Sequence, residues 1–383
     1  MFHRVELAER YAEALVDPSV TSSMPSGLFL AAPRRTGKST FLREDLAPAL
    51  ERRDALVIYA DFWADRSADP ATVIAGAVGR ALVTHAGDGS GIVERLGRRL
   101  VVEPVSVAGV GISTASAEAP AAPLGEALDA LSSHTGKMIA LLVDEAQHAN
   151  TSEAGANALF ALKAARDALN GGDRAGLRVV ATGSNRDRLA GLVNAKAQAF
   201  YRATLLDLPR LDAHYVRWFV GRQPFAGELD VEAVTALFAR AGHQPELLAQ
   251  AADRLRLEEV GSDGVAVAER LGAHLEAAIA ADEAELIDTV ASLEPLARTV
   301  LCALAEHSGG KFSPFARGTL ERYADTLVRI EGGERPRPPN VPAVQRALGA
   351  LQATGLVWRS GRGVYALEEP RLEDLLRREG WIP

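Results

Sequence analysis

The run APRRTGKST, Ala32 to Thr40, fits the spacing [A/G]-x-x-x-x-G-K-[S/T]. It follows the short apolar run Gly27 to Ala32 (GLFLAA) and opens a helical pattern from Thr40 to Leu50. A strand-to-helix turn of this kind aims successive backbone N–H groups and a positive helix end at one point, where a polyphosphate fits. Ala32, Pro33, Arg34, Arg35, Thr36, Gly37, Lys38, Ser39 and Thr40 are the residues expected to cradle it. Gly37 lets the backbone pass close to the phosphates. Lys38 supplies a point charge for the β and γ oxygens, and Ser39 offers a hydroxyl to Mg²⁺. The first motif position is Ala32 rather than glycine, and it is small enough for the turn.

Phosphoryl chemistry also needs a carboxylate near the metal and a group that orients water. Asp144 and Glu145 directly follow the apolar run MIALLV, Met138 to Val143. That places them at a strand's C-terminal end, where open α/β sheets bind ligands. Asp144 is expected to hold Mg²⁺ through its water shell, and Glu145 to polarise the attacking water. The run LRVVAT, Leu177 to Thr182, continues into Gly183, Ser184 and Asn185. Ser184 and Asn185, with Thr182 behind them, are candidates to touch the γ-phosphate or the water; an ordinary turn is the alternative.

The elements that must position these groups follow from periodicity. Helical spacing covers Arg4 to Val16, a region starting at Pro70, Leu124 to Ser132 and Ala154 to Leu169. Buried strands are predicted at Ala55 to Tyr59, Met138 to Val143, Leu177 to Thr182 and Thr204 to Leu208. Alternating strands and helices imply a parallel sheet covered on both faces. Val101 to Ser113 alternates and suits a β-hairpin. Beyond Pro209 the pattern is helical, broken at Gly227 and Gly242, with a further helix over Val265 to Leu286 that reads as bundle core or, less simply, a dimer face. From Leu293 the pattern becomes that of a winged helix: a helix at Pro295 to Glu306, an amphipathic helix at Val341 to Thr354 and a strand-turn-strand at Leu356 to Leu367.

APRRTGKST, DEAQH and ATGSN, with AGHQPELL around Gly242 to Pro245, together resemble the archaeal-ATPase group of P-loop proteins. That group lies close to the STAND and origin-recognition branches of the AAA+ superfamily. The resemblance covers about Gly27 to Leu257, with the tail as an extension. It implies an α/β fold whose parallel sheet has strand order 5-1-4-3-2, followed by a helical lid and a winged-helix domain. The corresponding boundaries are 1–209, 210–290 and 291–383. It also implies that Arg202, just before the fifth strand, stands where an arginine finger would reach a neighbouring subunit; a surface arginine in a Tyr-Arg turn is the plain alternative. Many members carry a sensing arginine in the lid, where this chain has His243 and Pro245.

Composition narrows the function. The 383 residues carry a net charge of −8, against wholesale coating of nucleic acid or anionic membrane. A single cysteine, Cys302, excludes an internal disulfide framework and fits a cytoplasmic setting. No apolar run approaches the ~20 residues of a membrane span. In the tail, basic residues barely outnumber acidic ones, too little to establish DNA binding by charge alone. The leading reading is an ATP-binding and ATP-hydrolysing switch whose nucleotide state controls a protein partner. The alternative is a DNA-acting AAA+ ATPase that assembles on DNA, as a homo-oligomer. A small-molecule kinase ranks last, because Asp144–Glu145 with a helical lid suits water as the acceptor.

Overall fold

The computed structural model describes residues 1–64, 68–85, 124–171, 175–184, 186–258, 264–307, 312–361, 364–368 and 371–383. The predicted hairpin at Val101 to Ser113 lies outside these, as does Asn185. The chain divides into two compact units, Met1–Trp218 and Phe219–Pro383.

In the first unit five strands form a parallel sheet: β1 (Leu28–Ala31), β2 (Leu56–Asp61), β3 (Ile139–Asp144), β4 (Leu177–Gly183) and β5 (Thr204–Asp207). Their order is β2-β3-β4-β1-β5, the expected 5-1-4-3-2 read from the other edge. The helices are α1 (Val5–Val16), α2 (residues 38–51), α3 (Pro70–His85), α4 (Leu124–Thr135), α5 (Glu153–Asn170), α6 (Arg186–Val193) and α7 (Ala213–Val220). All six residues of β3 are buried, as expected of a central strand covered on both faces.

Alternation along β1 assigns the two faces. Leu28 and Leu30 join Leu7, Leu15, Phe41 and Leu46 in one core beneath α1 and α2. Phe29 and Ala31 join Ile74, Leu128, Leu162 and Phe200 in the other. Full burial of each Leu or Phe contributes about 1.5–3 kcal/mol, so the two layers fix the sheet from both sides. Ser152 caps α5 by accepting the Gly155 N–H at 3.0 Å.

α2 is not a uniform helix. It starts as Lys38–Thr40, runs through a π-helical stretch at Phe41–Leu46 and resumes at Ala47–Glu51. The wider turn changes which residues face inward, and Asp45 is buried within it at 6% exposure.

In the second unit α8 (Val231–Arg240), α9 (Pro245–Leu257) and α10 (Gly264–Ala291) precede a winged helix. The latter comprises α11 (Pro295–Ala305), α12 (Arg317–Glu331), α13 (Val341–Ala353), the antiparallel pair β6 (Val357–Gly361) and β7 (Val364–Leu367), and α14 (Arg371–Arg378). Val344, Leu348 and Leu351 face its core, as their helical spacing predicts, while Gln345, Arg346 and Gln352 are exposed. Cys302 is buried there, and burial pushes its thiol up to about 12, which leaves it an inert packing group.

Candidate nucleotide site

The sheet order brings three strand ends together. β1 lies between β4 and β5, with Ala31 in register with Gly183 and Asp207. The Ala32 N–H donates to the Gly183 carbonyl at 3.1 Å, so the loop leaves the sheet directly beside Ser184. β3 is the next strand over and delivers Asp144 and Glu145.

The loop is held by its own polar groups. The Thr36 hydroxyl donates to the Pro33 carbonyl at 2.7 Å, and Lys38 Nζ donates to the same oxygen at 3.0 Å. Arg35 and Gly37 both have left-handed backbone, with φ of 60° and 86°. Alternation of left- and right-handed residues turns successive N–H groups toward one concavity, an anion nest. Ser39 is exposed at the mouth of the helix. Lys38 is only 5% exposed. Burial lowers its pKa, while Glu145 and Asp144 pull in the opposite direction.

Lys38 Nζ stands 3.5 Å from Glu145 Oε1. The other oxygen, Oε2, accepts from Gln147 Nε2 and from the Ser184 N–H at 3.2 Å. Gln147 Nε2 also donates to Ser184 Oγ at 3.1 Å. Burial alone would raise the Glu145 carboxyl. Lys38, Gln147 and Ser184 together outweigh it and hold the group below the usual glutamate range. Glu145 has φ +54°, a left-handed conformation that costs a residue with a side chain about 1–2 kcal/mol. A Cβ at Gly183 would lie 2.5 Å from Gln147 Oε1 and displace that side chain from its place beside Glu145.

Asp144 is 1% exposed. Its Oδ2 accepts the Tyr59 hydroxyl at 2.9 Å, and its Oδ1 accepts the Thr182 hydroxyl and, at 3.1 Å, the Glu145 N–H. Burial first, then Asp144, pushes the Tyr59 phenol up, so it stays a donor. Asp61 sits beside Asp144 across the β2–β3 register, and burial raises its carboxyl. The described residues hold no cluster of three or more metal-ligating side chains. A buried carboxylate with most of its lone pairs already engaged fits Mg²⁺ held through water, since that ion keeps several waters and relies on phosphate oxygens for the rest.

With this geometry fixed, comparison with known proteins is informative about the fold. No protein-family model matches the sequence, and no curated protein matches it. The Aeropyrum pernix ORC2 protein in its ADP form superposes with a TM-score of 0.52 over 97% of this chain and 91% of that one, at 16% identity. The Aeropyrum pernix ORC1 protein in complex with DNA gives a TM-score of 0.47 over 100% and 94%, at 19% identity. The chain shares the fold of that ADP-form ORC2 protein. Its parallel sheet order and its C-terminal winged helix are those that the sequence resemblance implied.

The remaining sequence candidates separate. Ser184 joins the Glu145 group, whereas Thr182, expected behind it, instead holds Asp144. Arg202 is exposed, with φ +68° and its guanidinium 5.2 Å from the Tyr201 ring. It lies in a turn, and its N–H donates to the carbonyl of Val193 at the end of α6 at 2.8 Å. His243 also has left-handed backbone. Its N–H caps α8 on the Phe238 carbonyl at 3.0 Å, and its ring meets Phe238 edge-on at 5.4 Å. The His243 backbone therefore caps the helix.

Three contributors escaped the sequence reading. Gln147 and Tyr59 orient the two carboxylates. Trp63 stacks between the loop and β3: Arg34 lies 5.0 Å from its ring centroid and His148 lies 4.7 Å away. The sequence signal for Gln147 was its place in DEAQH. Nothing in ALVIYADFW distinguishes Tyr59 or Trp63 from core aromatics.

Proposed function

We propose that this chain binds ATP with magnesium in the loop Ala32 to Thr40 and hydrolyses it to ADP and phosphate, acting as a switch whose nucleotide state governs a partner. The observation that carries the reading is the buried pairing of Lys38 with Glu145 across a loop whose backbone forms an anion nest. Lys38 is held by a carbonyl and a carboxylate, both of which a polyphosphate would replace. When the lysine turns to the β and γ oxygens, Glu145 loses its strongest counter-charge and becomes a better base. Gln147 and Ser184 keep that carboxylate in place to orient water. The Ser184 hydroxyl, and Asn185 beside it in sequence, would face the γ-phosphate. Magnesium would be held by Ser39 and, through water, by Asp144, and would neutralise charge on the phosphates.

The fold shared with a solved ADP-form protein supports nucleotide binding. In this reading residues 1–209 are the ATPase core, 210–290 the lid and 291–383 the winged-helix module. Arg202, exposed just before β5, would serve a neighbouring subunit's site if copies assemble.

A second reading, a DNA-acting AAA+ ATPase, is favoured by the winged helix itself. Helix α13 presents Gln345, Arg346 and Gln352 outward, side chains able to read a groove. Steady-state ATP hydrolysis with magnesium, with and without duplex DNA, alongside light scattering, tests both. DNA-stimulated turnover with growth in mass supports the second reading. Slow, DNA-indifferent turnover supports the first. No magnesium-dependent turnover at all overturns the ATPase assignment.

A further inference from the structure

Outside the motifs, one side chain touches both the phosphate loop and the segment leaving the neighbouring edge strand β5. Arg4 precedes α1. Its NH2 group donates to the Gly37 carbonyl at 3.2 Å, and NH1 donates to the Pro209 carbonyl at 2.9 Å. The guanidinium lies 4.8 Å from the Phe41 ring centroid, on the first turn of α2. The Gly37 carbonyl already accepts the Phe41 N–H at 2.9 Å, so Arg4 adds a second, charged donor to the oxygen that starts this helix. Pro209 lies just past β5, where Leu208 still bonds the Ala31 carbonyl at 2.8 Å and the chain leaves the sheet.

The segment carrying Arg4 is itself anchored. Its backbone N–H donates to Asp45 Oδ2 at 3.2 Å, and His3 Nδ1 meets Asp45 Oδ1 at 2.8 Å. Asp45 is the buried carboxylate of the π-helical stretch in α2. Phe2 meets Tyr215 and Trp218 of α7 edge-on at 5.5 and 5.6 Å. Three consecutive residues thus contact the phosphate helix on one side and the segment after β5 on the other.

We propose that Arg4 is a positioning residue that couples the phosphate loop to the segment leaving β5, setting the Gly37 and Pro209 carbonyls together through one guanidinium. A planar fork can hold two carbonyls on different chain segments at once, whereas an ammonium acts as a point donor. Movement of the loop when a polyphosphate seats would pass to residues 210–218 without a contact between nucleotide and that segment. The inference rests on the nucleotide reading above.

Hydrogen exchange on the full chain, with and without saturating Mg·ADP, tests it. In the wild type, nucleotide slows exchange both in residues 36–46 and in residues 210–218. Arg4→Ala should weaken ADP binding by about tenfold or less and still show protection at 36–46, but lose the nucleotide-dependent change at 210–218. Arg4→Lys keeps the charge and the apolar stem, so it serves if the alanine variant folds poorly, and it should fail to restore the coupling. An undiminished response at 210–218 in either variant overturns the proposal, as does a wild type whose response stays within 36–46. If the wild type does not bind ADP, the nucleotide reading fails separately. The tie is then read without ligand: Arg4→Lys should speed exchange in both windows together, and unchanged exchange in either one sinks it.

Discussion

The α/β core and the winged helix solve the same backbone problem differently. Among the described residues the core places Arg35, Asp54, Glu145 and Arg202, all with side chains, at positive φ beside Gly27, Gly37, Gly136 and Gly176. In the winged helix, positive φ falls on Gly332, Gly333, Gly355 and Gly380. A left-handed residue with a Cβ costs about 1–2 kcal/mol, which a glycine avoids. The buried polar groups also differ. Lys38, Asp144, Gln147 and Thr182 are all buried around one point in the core. The winged helix buries three threonines and Glu368, while ion pairs such as Arg317–Glu321 and Arg335–Asp325 lie at its surface. The core thus gathers two left-handed residues with side chains, Arg35 and Glu145, and a buried lysine–carboxylate group at the candidate site.

That contrast can be broken at several points. The largest effect is expected from Lys38→Ala, which should abolish tight ATP binding and, by stranding Glu145, also lower stability. Titration with a fluorescent nucleotide checks it, and wild-type affinity would remove Lys38 from the cradle. Leu348→Ala should cost the winged helix about 2–5 kcal/mol in denaturant unfolding while leaving nucleotide affinity unchanged. A parallel loss of affinity would mean that the two regions are not separable in this way. Glu145→Gln should retain binding but slow turnover on the order of 10²-fold in single-turnover assays. Gly355→Ala sharpens the backbone comparison. Its φ is +73° and nothing lies within 4 Å of an added Cβ, so thermal melts should show only the conformational cost of about 1–2 kcal/mol.

Acid should separate the regions more gently. The Glu145 carboxyl is held below its ordinary value of 4.5 in the folded chain. Its contribution to stability is therefore complete above that value and is lost as pH falls through the lower, folded one. Melting curves from pH 7 down past 4 should show the wild type losing more than Glu145→Gln. Equal slopes would mean that Lys38, Gln147 and Ser184 do not stabilise the charged form.

Much of the site was legible because local pattern suffices for it. The loop motif needs contiguous residues, and the strands that flank it are continuous apolar runs, so β1, β3 and β4 fall within a residue or two of their expected spans. Contacts distant in sequence were not legible. Tyr59 reaches Asp144 across 85 positions and Arg4 reaches Pro209 across 205. Neither tyrosine nor arginine advertises such a partner in its neighbourhood. Thr182 was placed behind Ser184 and Asn185, but nothing in its run marks Asp144 on β3 as the acceptor of its hydroxyl. The short helices α6 and α14 went unassigned because each is only eight residues long, although Leu372, Leu375 and Leu376 of α14 lie at helical spacing and are buried. The π-helical stretch in α2 has the same composition as an ordinary amphipathic turn.

The stacking of Trp63 gives the molecule an optical use. The chain has four tryptophans, and this one has a guanidinium from the phosphate loop near its ring and an imidazole from beyond β3 nearby. Indole emission responds to adjacent charge and to protonated histidine. With Trp218, Trp358 and Trp381 replaced by phenylalanine, the remaining fluorophore would follow the loop in real time, unlabelled, as nucleotide arrives and leaves.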